Sequence, residues 1–248
     1  SYDYIKELII KEANSSYTNE NIYHYTTATS LESIIRNKEI WITRSDYLND
    51  ITEINYYVQF LKNKICELVN GIEDKTTEDK QRIADNFNKI FDKLANSLSK
   101  TTYILSFSKK EDSLTLWSNY VNHNGYNIGF NKTDILKYFT FIKNKSNNKE
   151  KITTKIEIAS CPVIYDKQRQ EEIATIVILK ILTTPSVLND PDKLLSLLKL
   201  LLVMMKNSRF EEENEYRIVF DLIIDKNNNY EFYREKNSIF IPFIKVSS

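Results

Sequence analysis

Apolar positions along this chain fall into two periodicities, and they do not alternate in a regular βαβ order. Residues 2–13 set Tyr4, Leu8 and Ile9 on one helical face, and Ile22–Tyr25 follows as a brief strand. Leu31, Ile34 and Ile35 then predict a helix over Leu31–Asn37, capped by Thr29 or Ser30. Glu39–Thr43 reads as a second short strand. Asp50 and Glu53 have the spacing of a capping box opening a helix that runs to about Leu68. Glu78–Leu98 carries Ile83, Phe87, Ile90, Phe91 and Leu94 on one stripe.

β-formers dominate Thr101–Ser108, Tyr126–Phe130 and Lys155–Tyr165, with Pro162 marking the last as an edge or bulge. A short helix is expected at Leu114–Tyr120, and two longer ones at Glu171–Leu182 and Asp192–Lys206. Arg217–Ile224 and Tyr230–Phe232 suggest a hairpin over an Asp-Lys-Asn-Asn-Asn loop, and Ile239–Ile244 is a final strand. Lys143–Lys151 is polar and reads as a mobile surface loop. This mixed order predicts an α+β fold, a mixed or antiparallel sheet core flanked by helices. No linker interrupts it, so 1–248 reads as a single domain with a helical insert at about 54–98 and a helical pair at about 171–206.

The apolar run Leu194–Met205 is too short for a membrane span, which needs about 20 residues, and Lys199 interrupts it. It is expected to be a core helix. The N-terminal SYDYIKELIIKEAN has charges throughout and no signal-peptide core. Cys66 and Cys161 are the only cysteines and lack CxxC spacing, so reduced thiols and a cytoplasmic protein are expected. The 34 basic residues match 34 acidic ones, which gives no global field for nucleic acid. Nucleic acid stays open only through a local groove of Lys109, Lys110, Arg209 and Arg217. Three glycines are too few for a P-loop or Rossmann fingerprint.

Candidate chemistry concentrates in three stretches. His24, in Tyr23–Thr26 at the end of a strand, is placed to bond a ribose or carbonyl oxygen. His123 reads as a turn residue. With two histidines and two scattered cysteines, no metal site is expected; Asp46, Asp50 and Glu53 lie close together, but the capping box accounts for two of them. Ser106 and Ser108 share one strand face, and Trp117 and Tyr120 share one helix side, so hydroxyls beside aromatic walls suit a flat heterocycle. In Phe210–Arg217, an extended backbone would line Glu211, Glu213, Glu215 and Arg217 along one face. Paired carboxylates there could divide labour, one stabilising positive charge and the other orienting a nucleophile.

The succession of Tyr23–Thr26, the helix after it, Leu48–Glu53, Leu105–Phe130, Cys161–Asp166 and Lys206–Phe220 resembles the bacterial domain-of-unknown-function family 2971. Ile51 departs from the family's usual proline, and the chain stops soon after Ile239–Val246, where relatives continue into another strand. That resemblance names no activity. A second one does: an early His, a central Ser-x-Ser and a late Glu-x-Glu resemble the ordered signature of ADP-ribosyltransferases. It implies that NAD is the co-substrate and that the enzyme is a transferase or NAD glycohydrolase, such as a toxin or phage-defence effector. His24 would anchor a ribose and Ser106 would support the pocket. Tyr120 or Tyr25 would stack on nicotinamide, with Thr26, Ser108, Trp117 and Arg217 completing the cofactor-binding set. Glu215 would hold the ribose 2′-hydroxyl and stabilise an oxocarbenium-like transition state, and Glu213 would orient the acceptor. The residues alone equally allow a non-catalytic module that binds a small nucleotide or a protein.

Overall fold

The computed structural model describes residues 1–14, 20–47, 51–121, 124–147, 155–223, 231–236 and 238–247. In chain order its elements are α1 (Tyr2–Asn14), β1 (Asn21–Thr26), α2 (Ala28–Asn37), β2 (Glu39–Arg44), α3 (Ile51–Asn70), α4 (Thr77–Thr101) and β3 (Thr102–Ser108). These are followed by α5 (Leu114–Val121), β4 (Tyr126–Asn131), α6 (Lys132–Asn147), β5 (Lys155–Pro162), α7 (Lys167–Leu182), α8 (Pro185–Leu188) and α9 (Pro191–Met204). The chain closes with β6 (Glu215–Ile223), β7 (Phe232–Lys236) and β8 (Ile239–Ser247). All pairing among these strands is antiparallel. The fold is α+β.

Contacts divide the chain into two compact units, each assembled from three separate stretches. The first, Ser1–Ser16, Asn49–Ser99 and Val163–Ser208, holds the helices α1, α3, α4, α7, α8 and α9. Its core is mainly aliphatic: Ile5, Ile9, Leu61, Ile173, Val177, Leu197 and Leu201 are all fully buried, joined by Phe87 and Tyr57. Each such side chain contributes roughly 1.5–3 kcal/mol by leaving water. The Leu194–Met205 run forms most of α9 and is buried almost throughout, including Lys199, whose ammonium donates to Ser97 Oγ at 3.1 Å. Among the described residues, no helix is long and apolar enough to cross a membrane.

Gln170 of α7 is this unit's polar tie. Its buried amide donates to the carbonyls of Ile164 (2.6 Å) and Lys206 (2.9 Å), clamping the two segments that form the parallel bridge Ile164↔Met205. Leucine fills the same volume without donors, so Gln170→Leu removes the bond to the Lys206 carbonyl and one of two to the Ile164 carbonyl, which still accepts from Lys206 N at 3.2 Å. The expected loss is about 1–3 kcal/mol, read as a lower urea midpoint at unchanged slope.

The second unit, Tyr17–Leu48, Lys100–Pro162 and Arg209–Ser248, contains the whole sheet with α2, α5 and α6. β3 is its centre. One edge of β3 pairs with β6 along its full length, Thr102↔Asp221 to Ser108↔Glu215. The other edge is shared: β2 pairs at Tyr103 and Ile104, and β1 pairs at Ser108. The sheet therefore forks, with β4 beyond β1 on one arm and β8 then β7 beyond β2 on the other. β5 lies outside β6 and ends at Pro162, where a missing amide costs no further ladder bond.

One sheet face is the apolar core. Tyr103, Leu105 and Phe107 of β3 and Tyr216, Ile218, Phe220 and Leu222 of β6 pack there with Ile135 and Phe139 of α6. Alternation sends Ser106, Ser108, Glu215 and Arg217 to the opposite face.

Four expectations change. Lys143–Asn147 is the last turn of α6 rather than loop, and Lys143 holds Glu157 at 3.0 Å; the residues of that polar stretch beyond 147 lie outside the described residues. Among the described residues β6 makes no hairpin with β7; β6 pairs with β3 and β5, and β7 with β8. The cap of α2 is Thr27, whose Oγ1 accepts from Ser30 N at 3.3 Å, one turn earlier than the apolar stripe suggested. Phe210–Arg217 is not extended throughout: Ser208–Glu213 is a 3-10 turn and Asn214 is left-handed at φ 44°. Asn tolerates that conformation better than most residues. The proposed capping residue Asp50 and the turn residue His123 lie outside the described residues.

Candidate functional site

Glu215 and Arg217 stand two apart on β6 and lie side by side on the polar face. Arg217 donates from Nε to Glu215 Oε2 at 2.7 Å and from Nη2 to Oε1 at 3.3 Å. Both are buried, Arg217 with 1% of its surface exposed and Glu215 with 6%. An ion pair this deep needs further bonds to offset lost hydration. One comes from β3, where Ser106 Oγ donates to Glu215 Oε2 at 3.3 Å.

Glu213 arrives by a different route. The left-handed Asn214 ends the 3-10 turn, and its carbonyl accepts from Lys109 N at 2.9 Å. Ser108 Oγ donates to the Glu213 carbonyl at 2.8 Å and accepts from Lys110 N at 3.0 Å, so Ser108 anchors the turn. Tyr120 of α5 sets its hydroxyl beside the Glu213 and Glu215 carboxylates; burial of that hydroxyl and then their negative charge push its pKa up. Tyr120 as a whole residue is 47% exposed. Glu211 and Glu212 point outward, the latter to Lys110. The four-residue face Glu211–Glu213–Glu215–Arg217 is thus reduced to Glu215 and Arg217, with Glu213 joining from the turn.

Cys161 is buried and registers opposite Arg217; burial pushes its thiol up to about 12, which leaves it protonated and unreactive. Of the four cations suggested for a nucleic-acid groove, Arg217 is buried with Glu215 and Lys110 is paired with Glu212.

His24 lies elsewhere in the fork. It follows Ile22, a core residue, by two positions, so it faces the core side, with its ring edge-on to Phe107 at 5.8 Å. Its Nδ1 donates to the Ser106 carbonyl at 3.1 Å, at the point where β3 lacks a strand partner between β1 and β2. The imidazole stands in for a missing backbone amide. A carbonyl can only accept, so Nδ1 carries the proton and Nε2 is an acceptor. Burial first, and then the charge of Arg234, lower the His24 pKa and keep the ring neutral. Ser106 links the two sets: its carbonyl is held by His24 and its hydroxyl by Glu215.

Tyr25 points to the side opposite His24. Its ring meets Trp117 edge-on at 5.0 Å, and its hydroxyl donates to the carbonyls of Lys110 and Glu111, each at 3.0 Å. Trp117 Nε1 donates to Asp112 at 2.7 Å. These aromatics brace the loop between β3 and α5, and Thr26 is buried at the end of β1.

The arm carrying β2, β8 and β7 holds a cluster that sequence reasoning missed. Arg44 grips Asp46 through two bonds of 2.8 and 3.1 Å and donates to Glu231 at 2.9 Å. Glu231 also accepts from the hydroxyls of Tyr103 (2.8 Å) and Tyr233 (2.5 Å). Burial works against the Glu231 carboxylate, but those hydroxyls and the Arg44 charge prevail and hold its pKa below the ordinary 4.5. The unfolded chain therefore binds the proton first. Stability from this contact is complete above 4.5 and lost as pH falls through the lowered value. The melting-temperature gap between wild type and Glu231→Gln should accordingly narrow on acidification from about pH 6 to about pH 3. Asp46 is committed to Arg44, and no three His, Cys, Asp or Glu among the described residues gather to hold a metal.

Fold and site together define an α+β protein whose forked antiparallel sheet carries a buried Glu–Arg pair and a neutral histidine on its central strands. Residues 116–218 match the family described as "Protein of unknown function (DUF2971)", a stretch that includes Tyr120, Glu213, Glu215 and Arg217. No curated protein and no solved structure matches the chain.

Proposed function

We propose that this protein cleaves the glycosidic bond of NAD-like nucleotides, as an ADP-ribosyltransferase-like or NAD glycohydrolase-like enzyme. The observation that carries the reading is the environment of Glu215: a buried carboxylate held by Arg217 and Ser106, beside the hydroxyl of the half-exposed Tyr120. A fixed anion at low dielectric is what an oxocarbenium-like transition state requires. In the reaction the C1′–N bond breaks and its electron pair leaves on nicotinamide. Water or an acceptor hydroxyl adds to C1′ and gives its proton to Glu213, while Glu215 offsets the positive charge at C1′. The Tyr120 ring offers the flat surface for nicotinamide.

The test is nicotinamide release from labelled NAD by the purified protein, with and without a cell lysate to supply acceptors. No release under either condition sinks the reading. One observation favours a second reading, a non-catalytic nucleotide-binding module: Arg217 already neutralises Glu215. In that case NAD or ADP-ribose binds in calorimetry and is recovered intact.

A further inference from the structure

We propose that Arg234 is the binding point for a phosphoryl group, seated at the fork where β1 and β2 part along β3. The argument starts from two arginines of the same sheet arm. Arg44 has two carboxylate partners, Asp46 and Glu231. Arg234, on β7, has none among the described residues. Its Nη2 donates to Thr43 Oγ1 at 2.9 Å, and its charge lies 5.9 Å from the Phe243 ring centroid. Its Nε is buried without any hydrogen-bond partner.

A partly buried guanidinium satisfied by one hydroxyl and an aromatic ring is costly to keep. The sheet had counter-ions available and spent them on Arg44. An anion arriving from solution would supply what the protein withholds. The guanidinium fork matches the oxygens of a phosphate, and its charge-assisted bonds are the strong kind.

Position identifies the class of ligand further. Thr43 registers with Ile104 on β3, two residues before Ser106, whose carbonyl holds His24. Thr43 alternates with the core residue Ile42, as Ser106 does with Leu105 and Phe107, so Arg234 meets Thr43 on the polar face that carries Ser106 and Glu215. A cation for phosphate on the face that carries the Glu215 and Ser106 set fits a nucleoside diphosphate. That identity rests on the nucleotide reading above; the anion site itself requires only a guanidinium that has no carboxylate partner among the described residues.

The test is calorimetric titration of wild type, Arg234→Gln and Arg234→Lys with ADP-ribose, inorganic pyrophosphate and nicotinamide riboside, which carries no phosphate. Wild type is expected to bind ADP-ribose and pyrophosphate. Arg234→Gln should weaken both by roughly tenfold to hundredfold, and Arg234→Lys, which keeps the charge without the fork, by less. Nicotinamide riboside should not distinguish wild type from the variants. Pyrophosphate binding as tight as ADP-ribose would assign the site to free phosphate, and much tighter ADP-ribose binding would assign it to a nucleotide. No binding of either by wild type overturns the proposal, as does equal affinity in wild type and both variants. Should Arg234→Gln fail to fold, the lysine variant decides alone. Phosphate binding that depends on Arg234, without nicotinamide release from NAD, keeps this site and removes the enzymatic reading. Nicotinamide release with an unchanged KM for NAD in Arg234→Gln or Arg234→Lys does the reverse.

Discussion

Glu215→Gln is expected to lower nicotinamide release from NAD by about 10²–10³-fold, the usual effect of removing one preorganised electrostatic contact from a transition state. Glutamine keeps the shape of the side chain and can still accept from Ser106 and Arg217, so the charge is the principal thing lost. Substrate and transition state differ in charge at C1′, so the loss should fall on kcat, with KM little changed. One complication is built into the site. Neutralising Glu215 leaves Arg217 buried without its carboxylate, so the variant should also melt earlier. The double variant Glu215→Gln, Arg217→Met separates the two effects, because it removes both charges together. Stability should return while activity stays absent. Recovery of activity in the double variant would remove Glu215 from the chemistry.

Arg217→Met should be the most destabilising single change in the sheet. It leaves a carboxylate that is 6% exposed with its cation gone, in a pocket too dry to rehydrate it. Breaking one side of a buried pair costs about 3–5 kcal/mol, far more than the pair itself contributes, since the remaining charge bears the full desolvation penalty. The expected measurement is a large drop in the urea midpoint. Raising acidity should partly reverse it, because a protonated Glu215 is cheaper to bury than an ionised one. A loss below about 1 kcal/mol would mean that Glu215 is better hydrated than its burial implies.

Most elements were legible because their cause is local. α4 carries its apolar residues at helical spacing, and β3 is a run of β-formers, so each could be read from neighbours a few positions away. Where local cues conflicted, the reading went astray. The lysines and asparagines at the end of α6 resemble a loop until their turn is seen continuing from Ile135 and Phe139, which lie buried on the sheet. Glu211 to Arg217 alternates like a strand, but one left-handed asparagine changes which carboxylates turn inward. The signal was present in Asn214, a residue type that accepts positive φ, although nothing nearby required it to be used.

For the site, residue types and order along the chain were enough to single out Ser106, Ser108, Tyr120, Glu213 and Glu215, and the structure gathers these five on the polar face. It puts His24 on the other side of β3, bonded to the Ser106 carbonyl. It also adds Arg234 and the Arg44–Glu231 cluster, which had no sequence signature. Periodicity tells which residues share a face of one strand. It carries no information about which strands become neighbours, because pairing is set by contacts between residues far apart in the chain. The α+β class was therefore decided by sequence, which also named Ser106, Ser108, Tyr120, Glu213 and Glu215 as candidates. The fork in the sheet, the partners of Arg217 and Arg44, and an Arg234 with no carboxylate among the described residues were decided only when β1, β2 and β6 met along β3.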